Sequence, residues 1–148
     1  MKYSEGCVTT KRTMRVPQSR NRVVVVDDQP DMRDLVSLII EDEDDFDIVG
    51  TAGDGAEAIR VVEKMHPDLV VMDIAMPVMN GIDAMKTLRM TEPTARVVIL
   101  SAHPRESISP EVYSLADDYL DKSIVATDLV NRLRVVCERP PKGIAAAG

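Results

Sequence analysis

Between about residue 22 and residue 138, short uninterrupted apolar runs alternate with segments in which apolar residues recur every three or four positions. That alternation is the pattern of β-α-β units around a parallel sheet. Val23-Val24-Val25-Val26, Leu69-Val70-Val71-Met72 and Val97-Val98-Ile99-Leu100 are apolar throughout, as interior strands covered by helices on both faces must be. Phe46-Asp47-Ile48-Val49-Gly50 mixes a charge into its run, and Asp118-Tyr119-Leu120-Asp121 is short and flanked by acids. Both suit the exposed edges of a sheet.

Helical spacing fills the intervals. Pro30 sits where a first turn tolerates proline, followed on one face by Met32, Leu35, Val36, Ile39 and Ile40. Ala56, Ile59, Val62 and Met65 mark a second helix that His66-Pro67 ends. Ile82, Met85 and Leu88 mark a third, and Leu129, Val130, Leu133 and Val136 the last. The fourth is shortened or irregular: Pro104 and Pro110 fall in its window and leave about two turns, 110–116. Interior strands first, third and fourth, with edges second and fifth, fit the order 2-1-3-4-5. In that α/β doubly wound order, strands 1 and 3 meet at a switch point where a crevice opens at the carboxyl ends.

Length and charge narrow the picture. The chain has 148 residues, 45% of them hydrophobic, enough for one domain with a real core. No apolar stretch approaches the roughly 18 residues of a membrane-spanning helix, and the N-terminus lacks an apolar signal segment, so the expected location is cytoplasmic. Cys7 and Cys137 lie far apart without a C-x-x-C spacing and read as two free thiols. The net charge of -7 is unevenly spread: residues 1–22 hold six bases against Glu5, a sum of +5, leaving -12 on the other 126 residues. Residues 1–21 read as a basic flexible arm, 22–138 as the folded domain and 139–148 as a tail. Met14 opens a plausible shorter start.

The crevice is where chemistry would lie. Strand 1 ends in Asp27-Asp28 and strand 3 in Asp73. Carboxylates gathered from distant segments repel one another unless a cation neutralises them, and an oxygen-only set suits Mg²⁺ better than zinc. Taken singly, Asp28 or Asp31 would equally well cap a helix. Strand 4 ends in Ser101 and strand 5 runs into Lys122. A hydroxyl donor, a mobile cation, a divalent metal and a carboxylate are the parts needed to hold a phosphoryl group.

Asp27-Asp28, the segment Asp73-Ile74-Ala75-Met76-Pro77-Val78-Met79-Asn80-Gly81, Ser101-Ala102 and Tyr119-Leu120-Asp121-Lys122 together resemble the receiver domain of a two-component response regulator. The resemblance runs from about Arg22 to Glu138. It implies a flavodoxin-like fold, so the strand order rests partly on it. It further implies that Asp73 accepts a phosphoryl group from a histidine kinase or phosphotransfer protein. Mg²⁺ would be held by Asp28, Asp73 and the Ala75 backbone carbonyl, with Asp27 acting through water. Ser101 and Lys122 would engage phosphoryl oxygens, and Tyr119 would be the aromatic that swings inward on modification. A protein partner would read the face formed by helix 4, strand 5 and helix 5, and the state would be monomeric or a phosphorylation-dependent dimer. His103 lies where the family tunes hydrolysis, but there it more often only borders the site; His66 reads as structural.

The chain departs from the family pattern in places. Ser123 follows Lys122 where proline is frequent; a cis bond there would cost roughly 3 kcal/mol. The run Leu115-Ala116-Asp117-Asp118-Tyr119 is shorter than the usual small-residue turn. Ten residues follow Glu138, too few for a helix-turn-helix, so the expectation is a stand-alone receiver without direct DNA binding. Alternatives are a receiver fragment of a DNA-binding transcriptional regulator, or a receiver-like binding module that works without phosphate. A haloacid-dehalogenase-type phosphatase would need an acid two residues after its nucleophile; that position is Ala75. A signalling protein with at most self-phosphorylation and self-dephosphorylation activity is expected, not an enzyme.

Overall fold

Val23, Val24, Val25 and Val26 are all buried because β1, Asn21–Val26, lies inside a sheet with helices against both faces. The computed structural model describes residues 20–74, 81–102, 106 and 109–141. The Met14 start, Cys7, Ala75, His103 and the C-terminal residues 142–148 lie outside them. The described residues form a five-stranded parallel sheet in the order β2-β1-β3-β4-β5, as the run pattern and the family resemblance together imply. After β1 come α1 (Pro30–Glu41), β2 (Phe46–Ala52), α2 (Gly55–Met65), β3 (Leu69–Asp73) and α3 (Gly81–Thr91). They are followed by β4 (Arg96–Ser101), α4 (Pro110–Leu115), β5 (Asp118–Asp121), a 3-10 turn (Lys122–Ile124) and α5 (Val125–Cys137).

Side-chain alternation divides the core in two. Val24, Val26, Val70, Met72, Val97, Ile99 and Tyr119 face one way, onto Ala58 and Val62 of α2, Ala84, Met85 and Leu88 of α3 and Val112 of α4. Val23, Val25, Leu69, Val71, Val98, Leu100 and Leu120 face the other way, onto Val36 and Ile40 of α1 and Leu129, Leu133 and Val136 of α5. With helices on both faces, the loops at the carboxyl ends of β1 and β3 are left to form the crevice.

The edges differ most from the apolar runs. β2 extends two residues beyond Gly50, because the pairing with β1 shifts between Val23↔Ile48 and Val24↔Gly50 and thereby brings Ala52 beside Val26. The proline-bounded α4 is short, as expected, and its last carbonyl, Leu115 O, accepts 2.9 and 2.7 Å hydrogen bonds from Arg89 Nε and Nη2. His66 caps α2 in the left-handed conformation (φ 49) and its Nδ1 lies 3.0 Å from Glu92 Oε1, a structural role. No helix among the described residues is long and apolar enough to cross a membrane.

Candidate functional site

Strand register brings the predicted residues together. Val26 pairs with Met72, so Asp27 and Asp73 follow side by side at the ends of β1 and β3. Asp73 pairs with Leu100 and Ser101 with Asp121, so Ser101 and Lys122 each lie one step further along the neighbouring strands. Asp27, Asp73 and Ser101 are the buried polar residues of the described core, at 2%, 6% and 1% exposure. Asp28 is exposed at the rim. Asp27, Asp28 and Asp73 each offer a carboxylate oxygen within 4.8 Å of the others.

Lys122 answers this charge from β5. Its Nζ lies 3.0 Å from Asp27 Oδ2 and 3.2 Å from Asp73 Oδ2. Burial opposes the ammonium charge, but hydrogen bonds and charge from Asp27 and Asp73 outweigh it and hold the group above the usual lysine value. The turn that aims Lys122 contains no cis peptide. Instead, Asp121 Oδ1 accepts a 2.8 Å hydrogen bond from Ser123 N, an Asx turn leading into the 3-10 turn that Lys122 begins. The Asp121 carboxyl is held below its ordinary value by bonds from the Ser123 backbone and side chain.

The aspartates are not helix caps here. Gln29 is the N-cap of α1 and makes no side-chain cap bond. Asp27 Oδ1 accepts a 2.9 Å bond from Gln29 N, which orients the carboxylate whose other oxygen meets Lys122. Three carboxylates against one ammonium leave an all-oxygen donor set in charge deficit, which fits a hard divalent ion such as Mg²⁺.

Two supports were not singled out in the sequence. Arg33 Nη1 donates to the Asp27 carbonyl at 2.8 Å, bracing the end of β1. Gly81 N donates to Ile74 O at 2.9 Å, and a Cβ on Gly81 would fall 2.6 Å from Asp73 O and from Ile74 Cα. α3 therefore starts directly against the backbone of Asp73; the only sequence signal is a glycine at a helix start. Tyr119 is buried, with its ring 5.7 Å from that of Tyr113 of α4.

The comparisons with known proteins agree with this geometry. The family described as the response regulator receiver domain matches residues 23–134. The transcriptional regulatory protein DegU of Brevibacillus brevis is 34% identical over 125 residues, 84% of this chain and 53% of that protein. The chain thus spans about half the length of DegU, and 52% of the DNA-binding response regulator MtrA of Mycolicibacterium smegmatis, at 33% identity over 81% of this chain. Among solved structures, the signal receiver domain of the response regulator NarL from Mycobacterium tuberculosis superposes with a TM-score of 0.77 at 30% identity, covering 82% of this chain and 98% of that one. The response regulator domain of Thermotoga maritima CheB gives 0.74 at 31% identity, covering 82% and 99%. With a family match across most of its length and the crevice where the sheet order requires it, the chain belongs to the response-regulator receiver domains.

Proposed function

We propose that this receiver accepts a phosphoryl group on Asp73 from the phosphohistidine of a histidine kinase or phosphotransfer protein, and that the modification changes its affinity for a downstream protein. The carrying observation is the placement of Asp73 at the end of β3, with Lys122 Nζ at 3.2 Å and Asp27 and Asp28 completing the carboxylate cluster. An Asp73 oxygen forms the new bond to phosphorus as the N–P bond of the donor breaks, and the departing imidazole takes up a proton. A carboxylate is a modest nucleophile, so positioning supplies much of the rate.

Asp28, Asp73 and the Ala75 carbonyl would hold Mg²⁺, with Asp27 assisting through water. When bound, Mg²⁺ cancels charge on the transferred group. Lys122 exchanges its Asp73 contact for a phosphoryl oxygen, and the Ser101 hydroxyl donates to another. These attractions exist only in the modified state and therefore shift the conformational balance. Tyr119, packed beneath α4, follows Ser101, and the face of α4, β5 and α5 carries the change to the partner in a cytoplasmic signalling module.

Acetyl phosphate with Mg²⁺ tests the reading. Intact-mass measurement should show one added phosphoryl group, labile in base and absent from Asp73→Asn and from samples with chelator. Its absence from the parent chain, or its persistence in Asp73→Asn, overturns the assignment.

A second reading is favoured by the half-length match to DegU and MtrA: the receiver as the regulatory half of a DNA-binding regulator. Sequence-specific DNA binding by the longer protein encoded with it, absent from these 148 residues alone, would support it.

A further inference from the structure

The turn between α1 and β2 concentrates negative charge: Glu41, Asp42, Glu43, Asp44, Asp45 and Asp47 are six acids in seven positions. Arg134 of α5 clasps it, with Nη2 2.6 Å from Glu43 Oε1 and Nε 2.9 Å from Asp45 Oδ2. Beside this clasp a mainly polar groove of about 380 Å³ opens between α1 and α5, lined by Asp42, Glu43, Asn131 and Arg134 with Ile39 and Val130 as its apolar part. The N-terminal arm enters the fold at the same place. Asn21 N donates to Asp45 O at 2.9 Å, and Arg20 is exposed next to it.

The preceding 19 residues carry Lys2, Lys11, Arg12 and Arg15 against Glu5. Were 11–16 extended, Arg12, Met14 and Val16 would share one side and Lys11, Thr13 and Arg15 the other. Arg15 lies five residues from Arg20, a reach of about 17 Å, close to the length of the 12-residue α1 at about 18 Å.

We propose that residues 11–17 dock in cis on this groove, Met14 and Val16 against Ile39 and Val130, their basic residues facing the acids of 41–47. Tethering beside the turn gives the arm a high effective concentration there. A polyanion drawn to the arm would instead be brought against the same acids, which argues against nucleic acid or anionic lipid as the occupant. The docking requires no phosphoryl group and stands independently of the function proposed for Asp73.

The test is amide NMR on the full chain. Lys11→Gln/Arg12→Gln/Arg15→Gln should shift amides of 39–45 and 127–134, and the difference should vanish in 1 M salt, where the screening length falls to about 3 Å. In a Cys137→Ser chain, a spin label on Cys7 should broaden the same amides, and Glu41→Gln/Asp42→Asn should abolish most of that broadening. Coincident spectra of parent and arm variant at low salt overturn the proposal. So does equal broadening with and without the loop acids, which a merely tethered coil would give. Displacement-free binding of duplex DNA or anionic vesicles by the arm, with the groove amides unmoved, would overturn it in favour of a partner in trans.

Discussion

Lys122 Nζ lies 3.2 Å from Asp73 Oδ2, joining the end of β5 to the end of β3 across the intervening β4. The same ammonium also meets Asp27 at 3.0 Å, so among the described residues it bridges two of the three carboxylates of the cluster. Lys122→Ala should therefore cost about 3 kcal/mol in chelator, the usual consequence of leaving buried carboxylates uncompensated. Millimolar Mg²⁺ should return most of the loss, since an ion bound only by the folded state adds stability by mass action. Asp73→Asn should do the opposite, gaining stability in chelator and losing the response to Mg²⁺. Urea midpoints with chelator and with MgCl₂ check this, and an equal loss for Lys122→Ala in both would mean that Lys122 contributes packing alone.

Asp121 sets the turn that presents Lys122, through its 2.8 Å acceptance from Ser123 N. Asp121→Ala should slow phosphorylation by acetyl phosphate roughly tenfold by loosening the aim of the lysine. Asp121→Asn, which keeps an acceptor oxygen in an Asx turn, should restore the rate. Equal rates in Asp121→Ala and the parent would show that the backbone holds the turn unaided.

The interior of the fold is legible in the chain because the strand runs are buried on both faces and so carry no polar punctuation; Val23 to Val26 and Leu69 to Met72 show this directly. The acidic cluster is legible for a related reason: in a parallel sheet, aspartates that end such runs must emerge together at the carboxyl ends of the strands. Edges are harder to read. The register shift opposite Val23 and Val24 carries β2 on to Ala52, beyond the point where its apolar run breaks. The turn after Lys122 was equally hidden, since a side-chain acceptor in Asp121 does work usually associated with proline. Arg89 and Asp117, 28 residues apart, pair only because α3 and the start of β5 meet in three dimensions.

Gly81 backs Asp73, the proposed phosphoacceptor. A Cβ there would lie 2.6 Å from the Asp73 carbonyl oxygen, and the obstacle is backbone, which cannot rotate away. Gly81→Ala should cost about 1–3 kcal/mol through overpacking. It should also displace Asp73 enough to lower the phosphorylation rate more than the stability loss explains. Comparing rates with urea midpoints separates the two effects; full activity in a destabilised Gly81→Ala would show that α3 yields instead of Asp73.

Arg89 provides the sharpest test of which ion pairs matter. Its Nη2 meets Asp117 Oδ2 at 2.6 Å with both side chains at or below 10% exposure, and its other donors satisfy Leu115 O and Ala95 O. Asp117 Oδ2 in turn accepts from Val97 N at 2.8 Å, so the pair ties α3, the end of α4 and β4 into one unit. Arg132 also makes a two-pronged contact, with Asp118 at 2.7 and 2.9 Å, but the two side chains are 37% and 15% exposed. Arg89→Ala strips a buried carboxylate of its charge partner and two carbonyls of their guanidinium donors and should cost about 3–5 kcal/mol. Arg132→Ala leaves its partner within reach of water and should cost about 0–1 kcal/mol. Equilibrium urea unfolding of the two variants decides the matter: comparable losses would mean that burial does not set the worth of these pairs, and that the α4–β5 corner is held by apolar packing instead of by Arg89.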